Sequence, residues 1–109
     1  MSKETERRKI FQILTSLKDG EQATIDIGYL ISAHKELMSI TTKRSSKNRY
    51  AVTIRIREDG EDHVFIRKDV SLMTTFDCFC KAVINNDWAF SIMTFEEVTD
   101  KGKNSMKWM

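Results

Sequence analysis

Proline is absent from the 109-residue chain, which excludes a polyproline ligand segment or a stiff proline-rich spacer. Cysteine occurs only twice, at Cys78 and Cys80, too few for a disulfide framework, so a reducing compartment is expected. With four glycines there is no phosphate-cradling glycine loop and no dinucleotide fingerprint, and H-E-x-x-H is missing too. No apolar run approaches the ~20 residues that a membrane helix requires. The start, Met1 to Lys9, is charged and leads into no signal-peptide core, so a cytoplasmic location without membrane contact is expected. What is present is 40% hydrophobic and 31% charged residues, enough for one core and too apolar for a disordered chain. One domain over 1–98 is expected, with 99–109 a flexible basic tail.

The net charge of +2 conceals an uneven distribution. Lys43, Arg44, Lys47, Arg49, Arg55 and Arg57 fall between Thr41 and Arg57 with no acid among them. Directly after them, Glu58, Asp59, Glu61 and Asp62 surround Gly60. Asp87, Glu96, Glu97 and Asp100 continue the acidic half, and the tail turns basic again at Lys101, Lys103 and Lys107. A surface polarised in this way steers a charged partner to one side.

Apolar spacing predicts the elements. Ile10, Ile13, Leu14 and Leu17 share one face of a first helix, with Gly20 suited to a left-handed cap beyond it. Ala23, Ile25 and Ile27 alternate as a short strand that Gly28 interrupts. Leu30, Ala33, His34, Leu37 and Met38 trace a stripe at period 3.6 and predict a second helix from Tyr29 to about Thr41. Lys43 to Asn48 then reads as a polar loop. Tyr50 to Arg57 is the clearest strand, with Val52, Ile54 and Ile56 on one face and Ala51, Thr53, Arg55 and Arg57 on the other. Asp59-Gly60 signals a hairpin whose second arm, His63 to Lys68, would turn Val64 and Ile66 to the core. Ser71 can cap a third helix to about Asn85, carrying Leu72, Phe76, Phe79, Cys80 and Val83. Trp88 to Val98 predicts a final strand. The expected fold is α+β, in the order α-β-α-β-β-α-β, with a mainly antiparallel sheet and helices on one face.

No catalytic constellation emerges. Residues two apart on a helix point apart, so Cys78 and Cys80 share neither a metal nor a disulfide, and no zinc-ligand spacing exists. Cys80 reads as a core residue and His34 as the edge of a buried helical face without a partner. Glu96 and Glu97 are adjacent on a strand and face opposite sides. Glu58, Asp59, Glu61 and Asp62 crowd a turn tip, where repulsion holds them apart. The expectation is a non-enzymatic protein needing no cofactor and no metal.

The basic block does carry a mechanism. Alternate residues from Arg49 to Arg57 recur every ~6.6–7 Å along one strand face, near the ~6–7 Å between successive phosphates of a nucleic-acid strand. Lys43, Arg44 and Lys47 would stand in the loop before it, with Ser45, Ser46 and Asn48 as neutral phosphate donors. No aromatic residue interleaves on that face, so base stacking is not expected. A winged helix ranks lower, because its wing at Asp59-Gly60 would be acidic. The leading expectation is therefore nucleic-acid binding, DNA before RNA, through backbone contacts from Lys43, Arg44, Lys47, Arg49, Arg55 and Arg57. The alternative is docking on another protein through Glu58, Asp59, Glu61, Asp62, Glu96 and Glu97, an acidic surface imitating nucleic acid. Trp108, Trp88 and methionines 93, 106 and 109 would supply the anchors. An open edge strand would also permit a homodimer.

Leu17-Lys-Asp-Gly-Glu through Ser32, Arg49-Tyr-Ala-Val-Thr-Ile-Arg-Ile-Arg-Glu-Asp-Gly and Val64-Phe-Ile-Arg resemble the small accessory proteins of tailed bacteriophages. In those, an L-x-x-G-E strand, a helix and an Arg-bearing Asp-Gly hairpin recur. The likeness spans about residues 17–67. It implies a viral regulatory protein of the host cytoplasm that acts on nucleic acid or blocks a host protein, and it carries over no site residues.

Overall fold

The computed structural model describes residues 3–85 and 95–98. Its elements are α1 (Lys3–Ser16), β1 (Gln22–Ser32), β2 (Lys35–Ser46), β3 (Arg49–Glu58), β4 (Glu61–Val70), α2 (Leu72–Phe79), which continues into a π-turn over Cys80–Ile84, and β5 (Glu96–Val98). The five strands form one antiparallel sheet in the order β1-β2-β3-β4-β5. The expected α+β class with a mainly antiparallel sheet and helices on one face is what the chain adopts. Of the expected final strand, the described part is Glu96–Val98; Trp88 to Thr94 lie outside the described residues, as does the tail 99–109.

Strand β3 sets the layers. Val52, Ile54 and Ile56 are buried on one side, while Arg55 and Arg57 are exposed on the other. Both helices cover the apolar side. Ile10 and Leu14 of α1 join Phe79, Cys80 and Ala82 in one cluster with Leu37, Ile40, Val52, Ile54 and Ile56. Each such side chain contributes about 1.5–3 kcal/mol by leaving water. Phe11 and Phe76 meet edge to face at 5.4 Å between α1 and α2. The Tyr50 hydroxyl donates to the Leu14 carbonyl at 3.2 Å and ties the sheet to α1. Ser71 caps α2 as expected, its hydroxyl accepting from the Thr74 N–H at 3.2 Å.

The second helix expected from Tyr29 to Thr41 does not form. Those residues are the second half of β1, a two-residue turn at Ala33-His34, and β2. The stripe does not line one buried face: of Leu30, Ala33, His34, Leu37 and Met38 only Leu37 is buried, while Leu30 is exposed and Ala33 and His34 form the turn. A register shift between Leu37 and Ser39 brings Leu37 and Ile40, three residues apart, to the same buried side, whereas regular pleating would place them on opposite sides. Gly28, at φ +64°, falls in a second irregularity between Asp26 and Tyr29. His34 accordingly sits exposed in a turn, not on a buried helical face.

Residues Val64 and Ile66 also differ from expectation. The Asp59-Gly60 turn has positive φ at both residues, +53° and +81°, the geometry of a tight hairpin. It pairs Glu58 with Glu61, and counting back pairs Ile56 with His63 and Ile54 with Phe65. Opposed residues share a face, so Phe65 packs on the core, and Val64 and Ile66 fall opposite Arg55 and Thr53 on the other side.

Candidate nucleic-acid interface

No helix covers the second face of the sheet among the described residues. The register builds its rows from neighbouring strands: Gln22, Lys43 and Ala51; Thr24, Thr41, Thr53 and Ile66; Asp26, Ser39, Arg55 and Val64; Glu36, Arg57 and Asp62. The centre is a hydroxyl lane. The Thr24 and Thr41 hydroxyls are 2.8 Å apart, and Thr53 is the next residue across. Lys43 and Arg55 flank that lane on β2 and β3. Lys43 opposes Ala51, four residues before Arg55, which separates the two along the strands by about 14 Å.

The six cations do not form one patch. Arg44 is not in a loop but in β2, opposite Tyr50, and so turns toward the helix layer. There Nη1 donates to the Leu17 carbonyl at 2.6 Å, and Nε lies 3.3 Å from an Asp19 carboxylate oxygen and donates to the Ser46 carbonyl at 3.3 Å. Arg44 fastens the α1–β1 connection to the sheet and belongs to the fold. Lys43 is likewise in β2, not in a loop, but on the open face. Lys47 occupies the turn with Asn48, whose Oδ1 accepts from the Leu72 N–H at 3.3 Å. Arg57 donates to Asp62 at 2.9 Å, and Arg49 stands 3.7 Å from Asp69. Both are exposed pairs of small energetic weight. Lys43, Lys47 and Arg55 have no ion pair among the described residues. Asp26, the acid in Arg55's row, lies two strands away, about 9.5 Å.

Glu58, Asp59, Glu61 and Asp62 gather at the other end of the sheet, around the β3–β4 turn. Asp59 is 4.0 Å from His34, and its N–H donates to the His34 carbonyl at 2.8 Å. Glu58 opposes Lys35 on one side and Glu61 on the other, and Asp62 holds Arg57. Glu96 and Glu97 oppose Ile66 and Phe65, hence opposite faces of the sheet. Glu97 is engaged on the helix side, its Oε2 being 2.7 Å from His63 Nδ1. Trp108 lies outside the described residues.

Elsewhere, Cys78 and Cys80 are buried and not joined in a disulfide. Burial pushes the Cys80 thiol upward; Arg7 acts against that rise and Asp77 with it. The group therefore stays a thiol in the neutral range, a packing residue without nucleophilic character. No cluster of three or more His, Cys, Asp or Glu able to hold a metal occurs among the described residues. No described helix is long and apolar enough to cross a membrane. One feature without a sequence signal is a cleft of about 640 Å³ between α1 and α2, bordered by Lys3, Arg7, Arg8, Phe11 and Phe76. All of its lining residues but Phe76 lie on α1.

No protein-family model matches the chain, and no curated protein or solved structure matches it either. The functional reading rests on the geometry above.

Proposed function

We propose that this protein binds nucleic acid along the open face of its sheet, through phosphates and not through base edges. The observation that carries the reading is the pairing of free cations with hydroxyls on one uncovered surface. Lys43 and Arg55 flank Ser39, Thr41, Thr53 and Thr24 there, and Lys47 stands exposed at the β2–β3 turn. Arg and Lys neutralise phosphate charge, and Ser and Thr hydroxyls add uncharged hydrogen bonds that fix position without reading sequence. The face has no exposed aromatic at its centre, which argues against stacked bases as the main contact. Arg49 and Arg57 stay with their carboxylate partners Asp69 and Asp62 and are not among the phosphate contacts. Arg44 contributes nothing. DNA is the first substrate to test, and a viral regulatory role inside a host cell is the setting that the phage-protein resemblance implies. Protein docking through the acidic tip ranks second, since Arg57 holds Asp62 and Lys35 stands opposite Glu58.

The test is anisotropy of a labelled duplex and of a labelled single strand, titrated at several salt concentrations. Three phosphate contacts predict a log–log slope of about −2.7 on the duplex. Lys43→Ala and Arg55→Ala should each flatten it by about one unit. Arg8→Ala, in the helix layer, should leave it unchanged. Binding that is absent at micromolar protein in low salt, or that ignores salt, overturns the proposal.

A further inference from the structure

The two edges of the sheet are built differently. At one edge the described part of β5, Glu96–Val98, carries Glu96 and Glu97, an acidic border of the kind that discourages pairing. At the other, β1 runs for eleven residues, Gln22–Ser32. It contains no Lys, Arg or Pro, and Asp26 is its only charge. Its outer backbone groups have no strand partner among the described residues. Ala23, Ile25 and Ile27 face the helix layer but are only half-buried, and Ile25 and Ile27 pack on the core from its rim. A long unprotected edge with an incompletely covered apolar row is a template for another strand.

We infer that the occupant is a second copy of this chain, with β1 pairing antiparallel to β1 about a two-fold axis at Ile25. The sequence selects that register. In a symmetric antiparallel pair, directly opposed residues share a face. Centring on Ile25 sets Ile25 against its own copy and Ala23 against Ile27 on the apolar side, extending the core across the axis. On the open side it sets Thr24 against Asp26, a hydroxyl beside a carboxylate, twice. Centring on Thr24 would set Ile27 against the charged Glu21, outside the strand, and centring on Asp26 would oppose two carboxylates. Centring on Ile27 would carry the ladder through the irregularity at Gly28, whose φ is +64°. The Ile25 register uses the regular segment before it.

Because the axis runs perpendicular to the sheet, both open faces point the same way, and Lys43 and Arg55 of both copies border one continuous ten-stranded surface. The pairing does not depend on that surface binding anything. An edge contact of this kind is small, toward the low end of specific interfaces at under about 1,200 Å², so association depends on concentration.

The experiment is sedimentation equilibrium of the full chain without nucleic acid, with far-ultraviolet circular dichroism to verify folding. Wild type should shift from monomer to dimer as its concentration rises through the micromolar range. Thr24→Asp places an acid opposite Asp26 of the other copy and should abolish the dimer. Thr24→Lys places a cation there and should tighten it; both variants lose the same Thr24–Thr41 contact, so folding effects cancel between them. Ile25→Cys should give a disulfide-linked dimer on mild oxidation, with Asp26→Cys giving none. A chain that stays monomeric at every concentration overturns the inference. So does a Thr24→Lys variant that dissociates like Thr24→Asp, since the register would then be wrong.

Discussion

The two faces of β3 differ by one residue of pleat and obey different rules. Toward the helices, Val52, Ile54 and Ile56 are sealed against Leu14 and Phe79, and the constraint there is volume. Toward the open side, Ala51, Thr53, Arg55 and Arg57 meet no covering layer among the described residues, and the constraint is charge and hydrogen bonding. Stability is concentrated in the first face, and capacity for a charged ligand in the second. Substitutions in the two faces should therefore separate cleanly in what they damage.

The largest effect should come from opening the sealed face. Phe79→Ala removes a fully buried ring at the centre of the helix–sheet contact and should cost about 3–5 kcal/mol in urea unfolding. Thr53→Ala, opposite in facing, should stay within about 0.5 kcal/mol; comparable losses at the two positions would break the contrast. An intermediate effect is expected at the tie between layers. Tyr50→Phe removes the hydroxyl bond to the Leu14 carbonyl, which keeps only the longer bond from the Leu17 N–H at 3.4 Å, and should cost about 1 kcal/mol. The smallest should be Asp62→Asn on the open face, which frees Arg57. Stability should fall by less than about 1 kcal/mol, while the duplex-binding salt slope steepens by up to about 0.9. A steeper slope with unchanged stability would sharpen the division of labour between the faces.

How far the sequence is readable follows the same divide. Where β3 alternates without interruption, both its faces can be read directly, and so can the Asp59-Gly60 turn and the Ser71 cap, because each depends on neighbouring residues alone. Where a strand departs from period two, the reading fails. The stripe from Leu30 to Met38 runs across a hairpin turn and into a register shift between Leu37 and Ser39, and nothing local announces either. The inversion of Val64 and Ile66 has the same origin, since their facing depends on which β3 residues they oppose. The candidate site suffered through β2: with that strand unseen, Arg44 could not be distinguished from Lys43, although one residue of pleat sends the first to the Leu17 carbonyl and the second to the open face. The ion pairs of Arg49 and Arg57 join residues brought together by hairpin pairing, and charge counting along the chain separates them.

The strand order has a consequence for how the molecule assembles. From β1 to β4 each strand lies beside its neighbour in sequence, and each link is a two-residue turn, at 33–34, 47–48 and 59–60. Closing such short loops requires little chain entropy, and isolated hairpins form in about 1–10 μs. The meander can therefore zip from any of its three turns without waiting for a distant segment, which places this chain among the faster-folding β-rich topologies. Docking of α1 and α2 then becomes the later event, the one that converts a marginal ribbon into a cooperative unit.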